Sequence, residues 1–579
     1  MSWYLTDVAR FRAERQGIEL LAQEVDWFAV TTWRLDDRLR LVLDAEIGAG
    51  GRVYPIYLQY PDMFPHTPPS VFPRGDIARW SAHQFGPGGE LCLEYGPDTW
   101  TANNTGRDLV ESCHRLLETE NPAGGDGVGD DAPSRHVESL GQSLRIRYNR
   151  FLLTRAFRAL LCELPLRVPV EAKLVSLYHK ESVVHVVDEV TLADGTKWTD
   201  PTVPSQLGPE YTERRVPICR WDATESPPST ESLDEFDSGF AAVGNKLEAR
   251  YGLIVHGSEL SVYFLDRKKS SIVDVAVISP PAEATRLDAT HSVLGAKRVA
   301  IVGCGSLGSK AATMLARSGV GGFVLVDDDI LLPDNLVRND LDWRDAGVHK
   351  VPALARRLQF VNPSVDVLQW RVPLGGQEAN ESADAMLKKI SECDLVLDAT
   401  ADPNVLNLLS AVAASAKRPV IWAEVFGGGF GGLIARYRPG IEPPPPFMRR
   451  AIENWFGEKG SLPKRSYRPY EAIATGIDVP MIADDADVSV IAAHAARLAI
   501  DLLVDRDPSI FPCSVYAIGL GADSVFSQPF DTYPIDVGPP PPEPEVVELS
   551  NEEKVIEIAT LLELLKDKIG GADPTAQDN

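Results

Sequence analysis

The chain lacks most of what would tie it to secretion, metal scaffolds or membranes. Its seven cysteines, at 92, 113, 162, 219, 304, 393 and 513, stand singly, with no CxxC pair. A disulfide framework and a four-thiolate zinc site are therefore not expected. The ten histidines include no HExxH. No run of about 18 uncharged apolar residues occurs, and the opening MSWYLTDVARFRAERQ mixes charges before any apolar stretch, so neither a membrane span nor a signal peptide is expected. Positive charge is scarce: 57 Lys and Arg against 83 Asp and Glu leave a formal charge of -26. That balance repels nucleic acid and anionic membranes unless a basic tract offsets it, and none is long enough. The expectation is a cytoplasmic protein in a reducing compartment, with no nucleic-acid and no membrane partner. Its 579 residues suit three or four domains of about 100–200 residues.

Composition shifts set the boundaries. Residues 120–136 are rich in Gly, Asp and Pro, 222–237 are polar and acidic, and 536–548 form a proline-rich, semi-rigid spacer. The first part, 1–149, reads as a helix at 4–23, strands at 27–33, 39–45 and 53–58, and a helix at 105–118, a small α+β domain. Residues 150–290 mix a helical segment with short strands and read as an α+β linker domain. From 291 to 535 the pattern becomes βαβ: the strand KRVAIVG, the helix SKAATMLARSG and the strand FVLVDDD, later repeated by DLVLDATAD and PVIWAEV. Such a rhythm predicts a mostly parallel, Rossmann-like α/β sheet with its chemistry at the strand ends. In 536–579, Ser550 and Glu553 form a capping box, and Val555, Ile558, Leu562, Leu565 and Ile569 share one helical face. That helix is expected to dock on a neighbouring domain, with a partner-binding peptide as the other reading.

Gly303-Cys304-Gly305-Ser306-Leu307-Gly308 is a GxGxxG between a strand and a helix. Its glycines let backbone approach a phosphate at the positive helix end. The motif alone equally suits an NAD-dependent oxidoreductase. The acids Asp327-Asp328-Asp329 end the next strand, where one can grip ribose hydroxyls, and this does not discriminate. Asn335 and Arg338 in LLPDNLVRND and then Lys350 supply three phosphate-seeking groups, which suit a triphosphate better than a dinucleotide. Asp402, after the following strand, is placed to hold Mg²⁺ at the same surface.

The run GCGSLGSKAATMLARSGVGGFVLVDDDILLPDNLVRND resembles the adenylation domain of E1 ubiquitin-activating enzymes and their bacterial ThiF and MoeB relatives, over about 297–440. The resemblance implies an E1/ThiF adenylation fold in which Asp327 holds ribose and Asn335, Arg338 and Lys350 bind and polarise phosphates. It implies Asp402 on magnesium, and ATP as the second substrate. Many bacterial relatives carry paired CxxC motifs for structural zinc; this chain has none, so no zinc is expected. It has no cysteine between 393 and 513 where the family's transfer thiol is usually reached, which makes Cys513 the default E1-type thiol. Cys304 reads as packing and Cys393 as structural.

Cys92 in GGELCLEYGPDTW would ordinarily be a core residue. Its surroundings resemble the catalytic core of E2 ubiquitin-conjugating enzymes, a UBC fold, over about 1–125: Phe64-Pro65, Pro68-Pro69, Gly89, Cys92, Trp100 and Asn121-Pro122 match. The position of the E2 catalytic asparagine holds Gln84, preceded by His83; either side chain could donate to a developing oxyanion.

Together the two likenesses resemble the Cap2 family of E2–E1 fusions from bacterial CBASS antiphage operons. They imply that Mg-ATP activates a protein's C-terminal carboxylate as an acyl-adenylate. Cys513 then takes the acyl group, Cys92 receives it by transthiolation, and a target lysine attacks. The implied donor is a cGAS-like nucleotidyltransferase or, as in related operons, a ubiquitin-like protein, and a homodimer through the adenylation fold is a family expectation. Three other readings compete: a ThiF/MoeB-like small-molecule or sulfur-carrier adenylyltransferase, a non-catalytic scaffold, and, most weakly, an oxidoreductase.

Overall fold

A computed structural model describes residues 2–75, 80–81, 83–85, 88–120, 141, 144–145, 147–204, 207, 211–244, 249–279, 287–374, 380–460, 483–542 and 549–569. Asn121-Pro122 and part of the proline-rich spacer lie outside the described residues. The chain falls into two compact units, Met1–Arg145 and Ile146–Asn579.

In the first unit, helix α1 (Val8–Glu24) precedes strands β1 (Phe28–Leu35), β2 (Leu41–Ala49), β3 (Arg52–Gln59) and β4 (Ser70–Pro73). The strands form an antiparallel meander in sequence order. A two-stranded hairpin, β5 (Gln84–Phe85) and β6 (Glu90–Leu91), follows, and then helix α2 (Gly106–Glu120). Ile18, Leu21, Leu109, Val110 and Cys113 from the helices pack against Leu43, Ala45, Ile47, Ile56 and Leu58 of the sheet. One buried carboxylate joins three elements: Glu14 accepts from the Tyr60 hydroxyl at 3.0 Å and from the Gly106 backbone N–H at 2.8 Å. Burial pushes the Glu14 carboxyl up, and Gly106, Arg10 and Tyr60 oppose that. Position 106 must be glycine, because a Cβ there would lie 2.1 Å from the Tyr60 hydroxyl.

The second unit holds two sheets. Strands β7 (Asn149–Leu152), β8 (Val170–His179), β9 (Ser182–Thr191), β10 (Lys197–Thr199), β11 (Tyr211–Trp221), β12 (Tyr251–His256), β13 (Glu259–Asp266) and β14 (Ser271–Ile278) run in the order β10-β9-β7-β14-β13-β12-β11-β8. Because β8 also pairs with β9, this sheet closes into a barrel. The barrel was not legible in the sequence, since closure depends on β8 pairing on both sides. Helices α3 (Arg155–Glu163) and α4 (Leu233–Ala241) accompany it, and Phe157, Leu160 and Leu161 of α3 join its core.

The second sheet has the order β17-β16-β15-β18-β19-β20-β21-β22. Its strands are β15 (Arg298–Val302), β16 (Gly322–Val326), β17 (Asp366–Trp370), β18 (Leu395–Asp398), β19 (Val420–Val425), β20 (Gly431–Tyr437), β21 (Val515–Gly519) and β22 (Thr532–Pro534). The first five in spatial order are parallel and the last three antiparallel. Helices α5 (Ser306–Arg317), α6 (Lys350–Val361) and α10 (Asp485–Leu503) cover one face. Helices α7 (Asn380–Ser391), α8 (Pro403–Ala416) and α9 (Pro445–Glu458) cover the other. The inner strands β15, β16, β18 and β19 are near-continuous apolar runs, as a sheet buried on both faces requires. The order reverses at β15, so the glycine loop after β15 sits at the switch point where such sheets open a crevice.

The last helix, α11 (Asn551–Ile569), corrects an expectation. Its capping box forms, with Ser550 N–H donating to Glu553 at 2.8 Å and Glu553 N–H to the Ser550 hydroxyl at 3.3 Å. The helix is not docked, however: Val555, Ile558, Leu562 and Leu565 are 52–66% exposed. Its apolar face lacks a counterpart among the described residues, which periodicity alone could not reveal.

His185 of β9 gives the second unit an acid sensitivity. It is fully buried, its Nδ1 lies 2.9 Å from the Ser176 hydroxyl, and its Nε2 has no partner. Burial, reinforced by Arg214, pushes its imidazole down to about 4. The unfolded chain binds this proton as pH falls below about 6.5, whereas the folded chain resists until near 4. Stability is therefore full above that window and falls through it by about 3 kcal/mol. Denaturant titrations should show wild type losing more stability between pH 7 and 4 than His185→Gln; equal slopes would contradict this account.

Candidate functional site

The glycine loop is built by close contacts. Gly303 adopts φ +86°, and a Cβ there would lie 3.0 Å from the Ala399 carbonyl carbon at the end of β18. A Cβ on Gly308 would lie 1.9 Å from the Gly303 carbonyl oxygen, so α5 sits directly on the loop. Gly305, between them, has nothing within 4 Å of its would-be Cβ. Bare backbone thus faces open space at the N-terminus of a twelve-residue helix, which fits an approaching phosphate group.

Acids at the end of β16 tie that loop down. Asp327 accepts from the Cys304 N–H at 2.7 Å and from the Asp329 N–H at 2.9 Å. Burial pushes the Asp327 carboxyl up, with Lys350 acting against it. The Lys350 ammonium, only 10% exposed, meets the exposed Asp329 carboxylate at 2.6 Å. Asn335 caps a short 3₁₀ turn, its side chain accepting from the Leu332 N–H at 3.0 Å. Arg338, which ends that turn, is half-buried, and burial lowers its pKa. One carboxylate oxygen from each of Asp327, Asp328 and Asp329 lies within 4.8 Å of the other two.

Asp402 lies on the neighbouring strand end. It caps α8 by accepting from the Asn404 N–H at 2.8 Å. It also lines a small surface depression with Asp398, Trp422, Glu424 and Arg449. Burial raises the Asp398 carboxyl to about 6, against the hydrogen bonds it accepts from Thr400.

Gly303, Gly305, Gly308, Asp327, Asp329, Asn335, Arg338, Lys350 and Asp402 thus gather at the C-terminal ends of β15, β16 and β18. Cys513 does not join them. It precedes β21, four strands from β15, or roughly 19 Å at ~4.8 Å per strand. It also lies at the N-terminal end of a strand whose C-terminal end points to the loop edge. The segment around it is fixed structurally: Cys513 N–H donates to the Tyr516 hydroxyl at 2.8 Å, and the buried Arg436 holds the Ser509 hydroxyl at 3.0 Å and the Phe511 carbonyl at 2.7 Å. Cys513 thus stands at the opposite edge of the sheet from the glycine loop. Cys304 and Cys393 are buried, and burial pushes the Cys393 thiol to about 12.

Sequence reading passed over two residues that end LLPDNLVRND. Buried Asn339 donates to the Cys304 carbonyl at 3.4 Å, and the Asp340 carboxylate accepts from the Thr313 hydroxyl at 2.7 Å. They clamp the loop and α5 to the turn carrying Asn335 and Arg338. A polar pair closing an otherwise ligand-facing run was the available signal.

In the first unit Cys92 is half-exposed just after β6. Gln84 uses its amide on backbone, accepting from the Trp80 N–H at 2.7 Å and donating to the Gly89 carbonyl at 3.1 Å. His83 lies on the same hairpin, with Nε2 3.6 Å from Glu120.

Residues 285–444 match the ThiF family. Over 208 residues the chain is 31% identical to the ATP-dependent ubiquitin transferase-like protein Cap2 of Escherichia coli (strain TW11681), covering 32% of this chain and 33% of Cap2. The chain carries an E1-like, ThiF-type adenylation domain. In this part the chain is similar to Cap2 and to the E1-like adenylyltransferases. Ubiquitin-like modifier-activating enzyme 5 of Drosophila melanogaster is 29% identical over 226 residues, 36% of this chain and 55% of that one. The uncharacterized protein y4qC of Sinorhizobium fredii (strain NBRC 101917 / NGR234) is 25% identical over 503 residues, 79% of this chain and 83% of its own length. The chain thus spans about a third of Cap2 and about half of the activating enzyme. E1-like adenylation enzymes generally use ATP and Mg²⁺, and the bare backbone at Gly305 with Lys350 beside it suits the ThiF-type domain to a phosphate-bearing substrate. No described helix is long and apolar enough to cross a membrane.

Gly305 and Gly308 should separate cleanly in a melting experiment. Gly308→Ala, which drives a methyl into the Gly303 carbonyl, should cost about 3 kcal/mol. Gly305→Ala should leave the melting temperature of the same unit unchanged. Equal melting of the two variants would contradict the packing described.

Proposed function

We propose that the ThiF-type domain activates the C-terminal carboxylate of a protein as an acyl-adenylate, with ATP as second substrate and pyrophosphate as leaving group. The observation that carries this reading is the meeting of Gly305, Asp327 and Lys350 at one sheet edge within the stretch matched to ThiF. Gly303, Gly305 and Gly308 bring backbone N–H groups to the phosphates, and Asp327, with Asp329, binds ribose. Asn335, Arg338 and Lys350 neutralise charge as the carboxylate attacks the α-phosphorus, the largest contribution such a site can make. Asp402 would hold Mg²⁺, which when bound offsets phosphate charge.

The acyl group then passes to Cys92. The thiol attacks the mixed anhydride, AMP leaves, and a target lysine amine displaces the thiol. Support comes from the similarity to Cap2, a ubiquitin transferase-like protein, and from the half-exposed Cys92 beside Gln84 and His83 in a unit whose motifs resemble those of E2 enzymes. With Cys513 off the strand-end edge, Cys92 is the thioester site of this mechanism. The donor is a cGAS-like nucleotidyltransferase or a ubiquitin-like protein, conjugated in cytoplasmic antiphage defence by an enzyme that pairs as a homodimer. Domain limits of 1–149, 150–290, 291–535 and 536–579 fit this division of labour.

The test is adduct capture. Purified protein with Mg-ATP in host lysate is run on reducing and non-reducing gels as wild type, Cys92→Ala and Cys513→Ala, with partners identified by mass. An ATP-dependent, thiol-sensitive adduct should vanish in Cys92→Ala and persist in Cys513→Ala. Loss in Cys513→Ala would restore a two-thiol relay. No adduct in wild type, with ATP binding intact, would favour a small-molecule adenylyltransferase.

A further inference from the structure

Cys92 leaves the β5–β6 hairpin with its backbone N–H donating to the His83 carbonyl at 2.7 Å. The register pairs Gln84 with Leu91 and Phe85 with Glu90, so the next pair outward is His83 with Cys92. Opposed residues of an antiparallel ladder project to one face, with Cβ atoms about 5 Å apart. His83 in turn faces α2, its Nε2 3.6 Å from Glu120 Oε1, with side chains only 10% and 8% exposed. That carboxylate oxygen is buried without a hydrogen-bond partner, a costly state for a carboxylate unless a neighbour closes on it. His83 is the neighbour within reach. Gln84, its amide engaged with Trp80 and Gly89, holds the hairpin instead.

The thiol needs such a neighbour. Burial raises the Cys92 pKa, and Asp98 and Glu90 raise it further, whereas acyl transfer requires the thiolate. We infer that Cys92, His83 and Glu120 form an acyl-transfer triad in which His83 exchanges protons with the sulfur and with the incoming amine, while Glu120 positions the imidazole.

The inference rests on the reading of Cys92 as an acyl acceptor. On loading, the C–S bond forms, the bond to the leaving group breaks, and the thiol proton passes through His83 to water, which leaves the imidazole neutral for the next step. On discharge, a C–N bond forms as the C–S bond breaks, His83 takes the amine proton and returns one to the departing sulfur. Both steps balance with no added reagent. Glu120 is a positioning residue, and among the described residues the other charges acting on Cys92 are Asp98 from the loop before α2 and Glu90 from the hairpin.

Two probes test the triad on the full chain. The first is iodoacetamide, with Cys92 alkylation read by peptide mass between pH 5.5 and 9.5. Wild type should react about 10-fold faster at pH 7 than His83→Gln, with its rate inflection at lower pH. Glu120→Gln should move that inflection and Glu120→Asp should restore it, at unchanged circular dichroism. Superimposable wild-type and His83→Gln profiles would overturn the triad, even if the Glu120 variants fail to fold.

The second probe is a short glycine-terminated peptide thioester offered without ATP. Loading of wild-type Cys92, and discharge to free lysine about 10-fold slower in His83→Gln, support both triad and thioester. Wild type that never loads, yet alkylates in a His83-dependent way, would sink the thioester reading and leave the triad standing.

Discussion

The nucleotide edge depends on one steric fact: α5 comes so close to the glycine loop that Gly308 has no room for a side chain above the Gly303 carbonyl. That approach, with Gly303 pressed against the end of β18, fixes where backbone N–H groups point. Everything polar at the edge is then arranged around it. Asp327 reaches back to the Cys304 N–H, Asn339 holds the Cys304 carbonyl, and Asp340 takes the Thr313 hydroxyl. Asn335 and Arg338 on the following turn are therefore referenced to the same loop. Such preorganisation gives electrostatic catalysis its leverage, because little is reorganised when charge develops.

The first unit solves a different problem with the same economy. Glu14 gathers α1, the end of β3 and the start of α2 through Tyr60 and Gly106. It thereby sets the position of α2, whose far end carries Glu120 toward His83. A buried acid at one end of α2 fixes the scaffold and another at its opposite end faces the thiol hairpin.

Local signals carried much of this into the sequence. Helices α1 and α2, strands β1 to β3, the βαβ alternation from 298 and the Ser550–Glu553 box were legible because each depends on periodicity or on residues a few positions apart, whereas the short strands β4 to β6 carry too little periodicity to be read. The glycine loop was legible because its spacing is itself the geometry. What escaped depended on long-range pairing. The barrel needs β8 to pair with both β9 and β11, and no local pattern records that. Cys513 was a choice by elimination, and strand order alone puts it four strands from the loop. His83 was visible, but Glu120, 37 positions on, could not be tied to it without the path of α2.

The measurement that bears most directly on the central claim is isotope exchange between labelled pyrophosphate and ATP, driven by a donor-containing lysate fraction. If the strand-end edge performs adenylation by itself, exchange persists in Cys92→Ala and Cys513→Ala and falls on the order of 100-fold in Lys350→Ala. Exchange that survives Lys350→Ala, or that vanishes when either cysteine is removed, would contradict the account.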